Sequence, residues 1–221
     1  MATMKRQVAI AILALVGLLV LILVVVGTYG YQRYYVPLLR PLMYVTASEK
    51  LEQALRNTSP FQAPDSGVLT PEQWARFCDV ETAVEAVVGE KMGVMARQRE
   101  SLMAASDTQT GSVSFLVALA AFREFGPVYL TAKQAQVDAM NKTGLSKDEY
   151  RWVRRQVMLG AGLPFSQLDL DGMRTAAQDR RDKVDVKTTA PDPAAATANG
   201  ALVSGRRAQL ESWLAMAFFD L

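Results

Sequence analysis

From Val8 to Gly27 the chain runs through twenty consecutive apolar or glycine residues without a charge. At 1.5 Å per residue a helix of that length spans about 30 Å, the thickness of a bilayer hydrocarbon core. The run predicts an N-terminal transmembrane helix over residues 8–28, preceded by a tail of residues 1–7. A cleaved signal peptide is the competing reading, but its apolar core is ordinarily shorter, roughly 7–15 residues. Just past the run stand Tyr29, Tyr31, Tyr34 and Tyr35. Tyrosine rings favour the headgroup layer, so these four are the expected membrane-interface residues. A short tail ahead of a large body predicts a single-pass protein of a bacterial inner membrane, with its N-terminus cytoplasmic and its body periplasmic.

Beyond the run the apolar positions recur at helical spacing. Residues 29–66 read as a juxtamembrane segment with a short helix, Ala47 to Arg56, and a Pro/Ser-rich loop. Residues 67–184 read as a helical bundle. Its clearest signal is Leu69-Thr70-Pro71-Glu72-Gln73-Trp74, with Thr70 as N-cap, Pro71 in the first turn and Gln73 closing a capping box. Ser146 and Glu149 repeat that grammar 76 residues later, which recurring helix-start chemistry explains at least as well as duplication. Phe77, Val80, Val84, Val87, Val88, Met92 and Met95 trace one buried stripe of a helix reaching about Met103. Another helix opens near Ser112, breaks or kinks at Gly126-Pro127, and resumes to Asn141. A fourth, Lys147 to Leu159, buries Tyr150, Val153 and Val157 and exposes Arg151, Arg154 and Arg155; a fifth covers Gln167 to Lys183. No alternating run of β-branched residues stands out, so the expected fold is all-α.

After Val184 the composition turns to Pro, Ala, Thr and Gly, and residues 185–205 read as a flexible or extended linker. The helical pattern then returns over residues 206–221. Leu210, Trp213, Leu214, Ala217, Phe218 and Leu221 share one face, an amphipathic helix on a tether. Such a face is covered either by its own bundle or by another molecule, and Trp213, Leu214, Phe218 and Leu221 are the candidate partner-binding residues.

Candidate chemistry is sparse. The chain has no histidine and one cysteine, Cys78. That removes the commonest general base and transition-metal ligand, the usual haem axial ligand and any internal disulfide. There is no phosphate-binding loop or dinucleotide fingerprint, and no catalytic, cofactor-binding or metal residue is expected. Lys plus Arg number 24 against 22 Asp plus Glu; without Lys5 and Arg6 the balance is 22 against 22, which argues against a nucleic-acid partner. The layout resembles that of accessory subunits of large membrane complexes, a likeness of plan rather than of motif. The expected function is a non-catalytic, membrane-anchored accessory or structural subunit, with other membrane-complex subunits and the bilayer as partners. A stand-alone anchored module binding an apolar ligand or partner helix is the alternative, and a cryptic enzyme the second alternative.

Overall fold

The computed structural model describes residues 17–107, 109–189 and 193–221, and within them the side chains other than those of 34–39. The chain divides into two units, Met1–Arg40 and Pro41–Leu221.

In the first unit the described chain opens with helix α1 (residues 17–30), which widens into a π-helical turn at Tyr31–Tyr35. Residues 8–16 of the expected span lie outside the described residues. The described part of this apolar helix, Gly17–Arg33, falls below the length of a membrane span, and among the described residues the one helix long and apolar enough is Phe115–Thr143, in mid-chain. The expectation of a single N-terminal span with a cytoplasmic N-terminus and a periplasmic body is corrected on that finding. Phe115–Thr143 meets the criterion on length and composition, yet 44% of its most apolar window is buried in the protein. Its apolarity serves a protein core.

The second unit is a mostly helical bundle. It takes in the end of α2 (Val36–Glu52) and seven helices: α3 (Pro71–Val88), α4 (Met92–Ala105), α5 (Phe115–Thr143), α6 (Lys147–Gly160), α7 (Leu170–Asp179), α8 (Pro193–Val203) and α9 (Arg207–Phe218). The capping box at Thr70 and Gln73 forms, the Gln73 amide donating to Thr70 Oγ1 at 3.1 Å and the Thr70 amide to Gln73 Oε1 at 3.1 Å. Ser146 likewise caps α6 through the Glu149 amide. Gly89, at φ 49°, ends α3 in a single 3-10 turn, so the helix expected to reach Met103 is two. Gly126-Pro127 does not break α5, which runs 29 residues through it.

The all-α expectation is corrected by a three-stranded antiparallel sheet of β1 (Ser112–Ser114), β2 (Phe165–Leu168) and β3 (Lys183–Thr189), in the order β1-β3-β2. Val113 pairs with Val184, and Leu168 with Val186. Along β3 the buried Val184 and Val186 alternate with exposed Lys183, Asp185 and Lys187, the period of a half-buried strand. The expected fifth helix is therefore β2 followed by α7.

The expected linker is largely β3 and α8. Small residues are what order α8: Gly160 and Gly200 face each other where α6 and α8 cross, and a Cβ on Gly200 would stand 2.9 Å from the Gly160 carbonyl oxygen. Beside them the buried Asn199 accepts from the Leu69 amide at 2.8 Å and donates to the Gly67 carbonyl at 3.0 Å. A sequence too poor in large side chains to build its own core thus docks by close backbone approach. The C-terminal helix is consequently not tethered. Trp213, Phe218 and Leu221 are fully buried and Leu214 nearly so, within the unit's own core. Trp213 meets Phe77 edge-on at 6.0 Å, and Phe219 packs on Phe125 at 4.5 Å. At roughly 1.5–3 kcal/mol for each large apolar side chain, this burial is comparable to the net stability of a whole domain. Of the two covers open to this stripe, its own bundle is the one observed.

Candidate functional site

The C-terminal turn carries the most highly connected charge in the second unit. After α9 the Leu221 amide returns to the Met216 carbonyl at 3.0 Å, and Asp220 adopts φ 60°, a left-handed conformation that Asp tolerates better than most residues. The Asp220 carboxylate is buried among three cations from two helices: Lys133 of α5 at 3.6 Å, and Arg151 and Arg154 of α6, both in hydrogen-bonded contact. Gln167 of β2 donates to the same carboxylate at 2.8 Å. Lys133 also donates to the Asp220 carbonyl at 2.9 Å, and Arg154 to the Leu221 carbonyl at 2.9 Å. Burial alone would raise the Asp220 carboxyl, but Lys133, Arg154 and Arg151 hold it well below the usual range. Lys133 reaches on to Glu52 at 2.7 Å, which Lys147 contacts from the other side. Against its own desolvation, Glu52 is also held low by these two lysines.

A second buried acid lies deeper. Glu81 of α3 is fully buried and accepts a hydrogen bond from the Tyr150 hydroxyl, which in turn accepts from Gln136 at 3.1 Å. Burial pushes the Glu81 carboxyl up to about 7, against the hydrogen bond from Tyr150 and the charge of Arg154. Its other carboxylate oxygen, like Arg154 Nε, is without a hydrogen-bond partner. Arg154 also lies 5.2 Å from the Tyr150 ring centroid.

The ionic network forms one wall of a cleft of about 210 Å³ that opens between α2, α6 and the β2–α7 junction. Ser48, Glu49 and Glu52 line it from α2, Arg151 and Arg155 from α6, and Asp169, Asp171 and Lys187 from the sheet side. Most of these charges are paired: Glu49 with Arg174 at 2.9 Å, and Asp169 with Lys187 at 3.1 Å. Asp169 is also the N-cap of α7, accepting from the Gly172 amide, so the Asp-x-Asp-Gly sequence here is a helix start. Among the described residues no group of three or more His, Cys, Asp or Glu side chains is placed to hold a metal ion.

Of the residues singled out in the sequence, Tyr29 and Tyr31 are exposed on the first unit, and the side chains of Tyr34 and Tyr35 lie outside the described residues. Cys78 is buried, and desolvation raises its thiol to about 11, out of the reactive range. Asn57 and Asn141, each in a glycosylation-type triplet, hydrogen-bond to the Gly144 and Ala54 carbonyls respectively. Asp220, Lys133, Glu52 and Glu81 carried no sequence expectation, and Arg154 was expected in solvent. A signal did exist for two of them. Lys133 lies one turn from Tyr129 and Val137, and Arg154 one turn from Tyr150 and Met158, all of which are buried. No family model matches the chain, and neither the curated proteins nor the solved structures compared with it include a match.

Proposed function

We propose that this chain is a non-catalytic accessory subunit of a larger protein assembly, attached through α1. One observation carries the reading: from Leu18 to Val26 each large apolar side chain is more than half exposed, between 52% and 62%. A helix apolar on every face is one that is buried in its working state. A contiguous uncovered apolar surface of this kind marks an interaction site. A protein partner presenting apolar helices gives α1 that cover, and the second unit is a folded module carried on the same chain.

The non-catalytic part rests on how the polar groups are used. Asp220 and Glu52 are neutralised by cations within the fold. Glu81, whose carboxyl burial pushes up to about 7, is sealed in the core and is not among the residues lining the cleft. With no histidine in the chain, a general acid–base pair has no obvious members. The apolar-ligand alternative gains no support, since the residues lining the cleft are chiefly polar and charged.

The test is native purification in mild detergent. The full-length chain is expected to migrate with other proteins at a mass well above its own 24.2 kDa. The double variant Leu19→Asp and Leu23→Asp is expected to release it while keeping its helical circular-dichroism signal. Migration as a lone chain in its micelle, or only with copies of itself, overturns the proposal.

A further inference from the structure

We propose that the cleft of the second unit binds a small zwitterion of the amine–carboxylate class. The argument starts from which charges along the cleft are already satisfied. Glu49, Glu52, Asp169, Asp220, Arg151 and Lys187 all have ion-pair partners inside the fold. Among the described residues two lining side chains, Arg155 and Asp171, are in no close ion pair; they carry opposite signs, and Asp171 acts on Arg151 only at longer range. A guanidinium presents a fork of donors suited to a carboxylate, and a free carboxylate accepts from an ammonium. A ligand carrying both groups satisfies both residues at once. An anion alone meets Arg155 but faces the lining carboxylates Glu49, Glu52, Asp169, Asp171 and Asp220; a cation alone meets Asp171 but leaves Arg155 without a counter-charge.

The size fits. A cleft of about 210 Å³ is on the order of seven times the ~30 Å³ that a water occupies in the liquid. That is room for a molecule of amino-acid dimensions. The wall is also pre-organised: Arg151 is held against Asp220, and Gln167 is tied to the same carboxylate, so the groups behind the ligand do not have to be ordered on binding. Arg155 and Asp171 come from different elements, α6 and α7, so the ligand bridges the helical and sheet sides of the cleft.

Isothermal titration of the full-length chain in mild detergent with glycine, γ-aminobutyrate, acetate and methylammonium tests this. One of the two zwitterions is expected to bind with a dissociation constant of about 1 mM or tighter, and acetate and methylammonium at least tenfold more weakly. Arg155→Gln and Asp171→Asn are each expected to weaken zwitterion binding at least tenfold. Both residues are exposed, so the melting temperature is expected to be unchanged, and Arg155→Lys is expected to keep part of the affinity. The proposal is overturned if neither zwitterion binds, if acetate or methylammonium binds as well as the zwitterions, or if both neutral variants retain full affinity. The outcome is separable from that of the attachment proposal, because neither residue lies in α1.

Discussion

Replacing Asp220 by Asn removes one negative charge while keeping the shape of the side chain and an acceptor oxygen. In the native protein that charge faces Lys133, Arg151 and Arg154, and the side chains of Lys133 and Arg154 are only 3% and 0% exposed. Lys133 keeps a counter-charge in Glu52 at 2.7 Å, and Arg151 is partly solvated. Arg154 is the group most affected: it keeps its hydrogen bond to the Leu221 main-chain oxygen at 2.9 Å, but no other side-chain carboxylate is within ion-pair distance of it among the described residues, and Glu81 acts on it only at longer range. Breaking a buried pair on one side costs about 3–5 kcal/mol. For a domain of this size each kcal/mol lowers the melting temperature by about 2–4 °C, so the expected fall is roughly 6–20 °C. Thermal melts of the full-length chain in mild detergent, followed by circular dichroism at neutral pH, measure it. The folded-state pKa of Asp220 is depressed, so its stabilisation is present above the unfolded value of about 3.9 and is lost as pH falls through the folded value. The gap between wild type and variant should therefore close in acid. Adding Arg154→Met to the Asn variant should recover part of the loss. A fall of less than about 3 °C, or losses at Asp220 and Arg154 that simply add, would refute the reasoning.

Three further outcomes follow from the same geometry. Trp213→Ala is expected to cost about 3–5 kcal/mol, because its ring is buried against Phe77 and its indole N–H donates to Glu85 at 2.9 Å; an unchanged melt would mean that α9 does not belong to the core. Glu81 titrates at about 7 in the folded protein, so between about pH 4.5 and 7 the folded state binds the extra proton and stability falls with rising pH, by about 3 kcal/mol in all, then levels off. Denaturant titrations across that range should show the slope in wild type and its absence in Glu81→Gln. Gly160→Ala would place a Cβ 2.7 Å from the Asn199 Cβ, and is expected to lose about 1–3 kcal/mol by urea unfolding, whereas Ala at the open, exposed Gly205 should not.

Where local chemistry sets local structure, the sequence was readable. The Thr70 and Ser146 helix starts and the buried positions Phe77, Val80, Val84 and Val88 of α3 appear where their patterns place them, whereas α9 is buried on every side from Trp213 onward rather than on one face. What the patterns do not encode is what each face meets. The apolar face of α9 reads identically whether it covers a partner or its own bundle. The choice is made by α8, whose Ala- and Gly-rich sequence resembles a linker until Gly160, Asn199 and Gly200 bring its backbone against α6. The sheet was missed for a different reason. The strands are three, four and seven residues long, and the alternation at Val184 and Val186 is too brief to outweigh the helical periodicity around it. The ionic hub was the least legible part. Burying Lys133 and Arg154 contradicts their usual preference for solvent, and only the partner 66 or more residues away makes it tolerable.

The most direct test of the accessory-subunit account is a photo-activated cross-linking residue placed at Ile22, which is 52% exposed on α1. Irradiation of the full-length protein in its native host is expected to give discrete adducts with one or a few other proteins. The same residue at Arg180, which belongs to the second unit, is expected to give fewer or none. Adducts only with lipid or detergent, or only between copies of this chain, would contradict the account.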